Sequence, residues 1–127
     1  NSWLEFAKNT KKHAKELKSL VQNQVNNYGK IVAYGASARS STLLNYCGIN
    51  SEHISMIIDK NPLKNGLLTA GSNIPIVSFE EGLKFIEESE VILLLAWNFK
   101  NEIIKDLRAS GYKGEFIIPL PGNSYIL

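Results

Sequence analysis

The chain has 127 residues, a mass of 14.2 kDa and 44% hydrophobic residues, which suits one core and one domain rather than two. A formal net charge of +2 is too small for a general nucleic-acid binder, and Cys47, with only His13 and His53 beside it, makes neither an internal disulfide nor a zinc-type ligand set. No apolar run approaches the ~20 residues that cross a bilayer and no charged-then-apolar leader opens the chain, so a cytoplasmic protein with no membrane attachment is expected.

The chain opens Asn1-Ser2-Trp3 and has a single methionine, Met56, so it is expected to be part of a longer protein. Ser2 to Glu5 has capping-box spacing, and Trp3, Phe6, Ala7, Ala14, Leu17, Leu20, Val21 and Val25 recur with helical period toward Tyr28-Gly29. This predicts a long amphipathic helix over residues 1–29 that either packs on the sheet or connects to an upstream domain. Lys8, Lys11, Lys12, Lys15 and Lys18 share one of its faces, read as a solvated face.

From Lys30 onward short apolar runs alternate with helical segments, the arrangement of a parallel sheet covered on both faces. Strands are expected at Ile31 to Tyr34, Ile54 to Ile58, Ile74 to Val77, Val91 to Leu95 and Phe116 to Ile118. Helices are expected from Ala38 to Cys47, from a Ser78–Glu81 capping box to about Glu88, and from about Lys100 to Ala109. Lys60 to Asn73 is polar and rich in turn residues, long enough for a functional loop or lid. Pro119-Leu120-Pro121-Gly122 is read as the end of the last strand.

The fold class is therefore α/β, with residues 30–127 forming a Rossmann-like three-layer parallel sheet of order 3-2-1-4-5 behind the long N-terminal helix. In that order strands one and four are neighbours. A crevice opens at their carboxyl ends, between Gly35 to Arg39 and Ala96 to Phe99, and a ligand is expected there.

The turn after the first strand reads Gly35-Ala36-Ser37-Ala38-Arg39-Ser40, which keeps only the first glycine of the dinucleotide fingerprint and has serine at the other two positions. Small residues, the hydroxyls of Ser37, Ser40 and Ser41, free N–H groups at a helix start and the Arg39 guanidinium still suit an anion such as phosphate. The alternative is a serine-capped turn with no ligand. Asp59 ends the second strand, 24 positions after Gly35, near where a Rossmann domain places its ribose-binding acid; it reads equally as the start of an Asp-Lys-Asn-Pro turn. Trp97 and Asn98 follow the fourth strand and suit stacking on a base or sugar and hydrogen bonding to it, or else core packing and capping of the next helix.

Gly35-x-Ser37-x-Arg39 also approaches the hydrolase nucleophile elbow. Arginine replaces its final glycine, and the only downstream histidine, His53, precedes Asp59, so hydrolysis is not expected. His13 is read as a surface helix residue, His53 as a loop residue and Cys47 as an inert buried thiol.

Four blocks in order, Tyr34 to Ile49, Ile58 to Ile76, Leu94 to Ile103 and Phe116 to Pro121, resemble the C-terminal domain of bacterial S-adenosylmethionine-dependent sugar C-methyltransferases. They span nearly the whole chain after the first helix. The resemblance implies a three-part enzyme: a zinc-binding N-terminal segment, a central domain that binds S-adenosylmethionine and carries the base, and this Rossmann-like domain, which helps hold a nucleotide-diphosphate sugar. It implies no catalytic residue, metal or cofactor in this chain and no methylation by it alone, with the upstream methyltransferase domain as partner. In the intact enzyme the base would remove a proton beside the sugar ketone, and the carbanion would attack the sulfonium methyl.

The substrate-binding residues expected on this basis are Gly35, Ala36, Ser37, Ala38, Arg39, Ser40, Asp59, Lys64, Trp97 and Asn98. Arg39 stands where the family often has lysine, keeping the charge and adding a fork of donors. Ala70 stands where Thr-Pro-Gly is usual before the third strand, which is expected to loosen the loop. Two other classes remain open: a free-standing nucleotide- or coenzyme-binding regulatory module, and an interaction platform that uses the first helix.

Overall fold

The computed structural model describes residues 2–120 and 123–126. The expected Ser2–Glu5 capping box, the Lys8 side chain, the side chain of Ala38 and the Pro121–Gly122 break lie outside what it describes.

In chain order the elements are α1 (Ser2–Tyr28), β1 (Ile31–Tyr34), α2 (Ala38–Cys47), β2 (Ile54–Ile58), β3 (Ile76–Val77), α3 (Phe79–Ile86), β4 (Val91–Leu94), α4 (Lys100–Ala109), β5 (Glu115–Leu120) and β6 (Asn123–Ile126). Single 3-10 turns cover Pro62–Lys64 and Trp97–Phe99. The strands form one sheet in the order β3-β2-β1-β4-β5-β6. The first five are parallel, in the expected 3-2-1-4-5 order, and β6 adds an antiparallel edge.

That sixth strand differs from the sequence reading, which ended the sheet at Ile118. Proline, which has no backbone N–H, is excluded from a strand only where a donor is needed at that position. Pairing of β5 with β4 stops at Ile117, so Pro119 lies beyond it and registers instead with Ser124 of β6.

Strand alternation divides the core into two layers. Ala33, Ile57, Leu93 and Ile117 face α1 and α2, where they meet Ala14, Leu17, Val21, Leu44 and Cys47. Val32, Tyr34, Ile58, Ile92, Leu94, Phe116 and Ile118 face the other way, onto Ile86 of α3 and Ile103 and Leu107 of α4. A register shift between Ile31 and Val32 against β2 turns Ile54 to the same face as Ile57, although the two are an odd number of residues apart.

The first helix packs on the sheet. Its buried stripe of His13, Ala14, Leu17 and Val21 lies against α2, β1, β5 and β6. Two expectations about this helix need correcting. His13 is buried, because it lies one turn before Leu17 on that stripe. Lys18 leaves the solvated lysine face: its Nζ donates to the Gly48 carbonyl at 2.6 Å and lies 3.1 Å from His53 Nε2, tying α1 to the end of α2. His53 does lie in a turn but is buried there, its Nδ1 accepting the Asn50 N–H at 3.2 Å and its Nε2 lying 3.2 Å from Gln22 Oε1. No described helix is long and apolar enough to cross a membrane.

Candidate functional site

The turn between β1 and α2 is held from both ends. Gly35 has φ +96°, and a Cβ there would lie 2.6 Å from the Ala96 Cβ, so the glycine lets β1 run close beside the end of β4. Its N–H donates to the Ile58 carbonyl at 2.8 Å. Ser37 is the N-cap of α2: Ser40 N–H donates to Ser37 Oγ at 3.1 Å, and Ser37 N–H donates to Ser40 Oγ at 2.7 Å. This reciprocal box uses serine at the position usually filled by Glu or Gln. It consumes N–H groups that an anion would otherwise use, so charge at this corner must come from side chains as well as backbone.

Asp59 uses both carboxylate oxygens on backbone. Oδ2 accepts the Ala36 N–H at 2.8 Å, and Oδ1 accepts the Asn61 N–H at 2.7 Å, forming the turn that enters the 60–73 loop. Lys64 reaches back from that loop to donate to the Ala36 carbonyl, with its Nζ 3.9 Å from Asp59 Oδ2.

Three depressions surround the turn. The first, of about 260 Å³, is the crevice between β1 and β4; it gathers Ser37, Arg39 and Ser40 from one side and Trp97 and Asn98 from the other. The 3-10 turn that follows β4 carries both of the latter residues to the crevice. His13 of α1 and Pro119 of β5 also line it. Sequence reasoning missed these two. The helical spacing of His13 from Leu17 was the available signal for one, and nothing short of the sheet order could place the other.

A second cleft of about 200 Å³ lies on the β3 side, between Ala36, Ser37 and Ser41 of the turn and Lys64, Leu67, Leu68, Thr69 and Ala70 of the loop. Gly35 and Asp59 open instead onto a third depression, of about 290 Å³, with Tyr34, Lys60 and Asp106. There Lys60 Nζ lies 3.2 Å from Asp106 Oδ2 and 5.0 Å above the Phe79 ring. Burial, reinforced by Asp106 and Asp59, pushes the Tyr34 hydroxyl up to about 12, so it is a neutral phenol at physiological pH. The expected binding residues are thus brought to one corner of the fold but divided among three openings. Ser37 lines two of them.

Among the described residues no group of three or more His, Cys, Asp or Glu is placed to hold a metal ion. Burial raises the Cys47 thiol to about 11, with Lys18 opposing, so it is un-ionised at neutral pH.

Residues 1–121 match the family model of the C-methyltransferase C-terminal domain. The chain belongs to that family. Over 120 residues this family member is 35% identical to the C-methyltransferase NovU of Streptomyces niveus, an alignment that covers 92% of the chain and 28% of NovU. The chain therefore spans little more than a quarter of that relative's length. Among solved structures, UDP-D-quinovosamine 4-dehydrogenase from Vibrio fischeri matches with a TM-score of 0.53 and 21% identity, over 77% of this chain and 92% of that one. At that identity the likeness shows the shared α/β fold alone.

Proposed function

We propose that this C-methyltransferase C-terminal domain holds the diphosphate-linked substrate of a cytoplasmic, S-adenosylmethionine-dependent enzyme that methylates carbon on nucleotide-linked sugars. The base, the S-adenosylmethionine site and the zinc-binding segment belong to the remainder of that enzyme. This chain's contribution is orientation: fixing the sugar relative to the methyl donor lowers the barrier by removing translational and rotational freedom before the reaction.

The observation that carries the reading is the composition of the crevice. An exposed guanidinium, Arg39, lies in the first turn of α2 and faces an indole and an amide, Trp97 and Asn98, across an opening of about 260 Å³. The guanidinium offers paired donors to phosphate oxygens, and the helix start adds favourable potential. The indole gives a face for a sugar or base, and the amide offers both donors and an acceptor to hydroxyls.

The test is titration of a thymidine-diphosphate sugar into the methyltransferase that carries this domain. Arg39→Ala is expected to weaken binding roughly 10- to 100-fold, the cost of one charge-assisted contact of ~1.5–3 kcal/mol. Unchanged affinity and turnover in that variant would remove the assigned role.

A further inference from the structure

The 60–73 loop exposes three leucines and yet is firmly bonded. Leu63 is 85% exposed, Leu67 54% and Leu68 61%. Leu67 O accepts the Ile76 N–H at 2.9 Å, Gly66 N–H donates to Ile76 O at 2.9 Å, and Leu68 bridges to Pro75. Beyond them Thr69 Oγ1 accepts the Ile74 N–H at 2.9 Å and contacts the buried Ser72 hydroxyl, and Asn45 Nδ2 donates to the Ala70 carbonyl at 2.9 Å. Leu67 and Leu68 are therefore held in place as a wall of the second cleft, with Ser41 and Ile76 also lining it. Apolar side chains presented on a bonded frame mark a contact surface rather than a slack loop.

Charge is arranged around the same point. Ser37 borders both openings; Arg39 lines the crevice on one side of it and Lys64 the cleft on the other. An anion resting over Ser37 would lie between Arg39 and Lys64, whose ammonium also donates to the Ala36 carbonyl and lies 3.9 Å from Asp59 Oδ2. Beyond Lys64 the walls are Leu67, Leu68, Ile76 and Ala70, with Ser41 and Thr69 among them, which suit a flat ring with polar edges. Beyond Arg39 they are Ser40, Trp97, Asn98 and His13 beside the apolar Leu43 and Leu95, and the hydroxyl, indole and amide among them suit a hydroxylated group.

We infer that the leucine-walled cleft is the nucleoside subsite, so that the ligand lies across Ser37 with its base against Leu67 and Leu68, its diphosphate between Arg39 and Lys64, and its sugar toward Trp97 and Asn98. This rests on the nucleotide-sugar reading above and adds the direction in which the ligand lies. The sugar end then points to the β4 side, and the β3 side carries discrimination between bases.

The experiment uses leucine-methyl NMR on this chain, repeated on the methyltransferase that carries it, with inorganic pyrophosphate and thymidine diphosphate as probes. Thymidine diphosphate is expected to shift the Leu67 and Leu68 methyl signals through the ring current of its base, whereas pyrophosphate leaves them in place. Leu68→Asn, and independently Leu67→Asn, should weaken thymidine diphosphate roughly ten-fold while leaving pyrophosphate affinity within two-fold, since neither adds charge near the anion. Both leucines are exposed, and unchanged circular dichroism of the variants controls for folding. If thymidine diphosphate binds through Arg39 but shifts the signals of Leu43, which lines the crevice, and of the Trp97 indole instead, the subsite is misplaced while the function reading stands. If the leucine signals change only when the rest of the enzyme is attached, with no nucleotide present, the wall is a domain contact and the inference falls. If neither probe binds in an Arg39-dependent way, both readings fall together.

Discussion

Asp59 Oδ2 accepts the Ala36 N–H at 2.8 Å, so the carboxylate ending β2 holds the first residue of the turn that follows β1. The other oxygen holds Asn61, making one side chain the joint between two loops. Asp59→Ala would leave two backbone donors without their partner, and a loss of about 1–3 kcal/mol in stability is expected. Urea denaturation measures it, and Asp59→Asn, which retains an acceptor, should recover part of the loss. A wild-type midpoint in the alanine variant would mean that the joint is not needed.

Gly35→Ala tests the approach of β1 to β4. The backbone there is left-handed, which costs a residue with a Cβ roughly 1–2 kcal/mol, and the new methyl would meet Ala96, an overpacking that costs roughly 1–3 kcal/mol. The variant should unfold at clearly lower denaturant concentration. Adding Ala96→Gly should restore only part of the loss, because it removes the Cβ contact but leaves the residue 96 N and Cα at 3.0 and 3.3 Å and φ at position 35 unchanged.

His53 gives the fold an acid-sensitive contact. Burial first, then the Lys18 ammonium, lowers its pKa below the ordinary 6.5, against smaller opposing effects of Glu52 and the Asn50 backbone. Between the lowered value and 6.5 the unfolded chain binds more protons than the folded one. Stability therefore rises with pH through that window and falls as the solution is acidified below 6.5. Denaturation midpoints measured from pH 5 to 7.5 should show this slope, and His53→Gln should flatten it. An unchanged slope in the variant would assign the effect to other groups.

Cys47 should resist thiol reagents. With its thiol raised to about 11 and only 8% of the residue exposed, iodoacetamide at pH 8 is expected to label the folded chain far more slowly than the chain in urea. The same shift predicts that stability declines from about pH 9 to about 11, where the unfolded thiol ionises and the folded one does not. Labelling at equal rates in both states would place the sulfur at the surface.

The central sheet was legible in the sequence because β1 and β4 are apolar runs, Ile31 to Tyr34 and Val91 to Leu94, buried along their length, β2 is apolar apart from Ser55, and the helices between them carry their own caps at Ser37 and Ser78. Two kinds of feature were not legible. Asn123 to Ile126 follows two prolines and a glycine, and only the sheet partner across from it shows that this segment pairs. Likewise the division of the candidate residues among three openings depends on how α1 and the 60–73 loop lie against the turn, which no local pattern specifies. Asp59 shows the difference. Its place at a strand end was readable, whereas the opening it faces follows from the packing of α4 against the sheet.

The two outer strands of the sheet also bear on how copies of this domain behave at high concentration. β3 contributes only two residues, and Ile76 offers both its main-chain groups to Gly66 and Leu67 of its own chain. The opposite border ends in a four-residue antiparallel segment. Among the described residues neither edge strand is longer than four residues, and the β3 rim already has the main-chain groups of Ile76 paired, which limits strand-to-strand extension there, while β2, β1, β4 and β5 lie inside those borders.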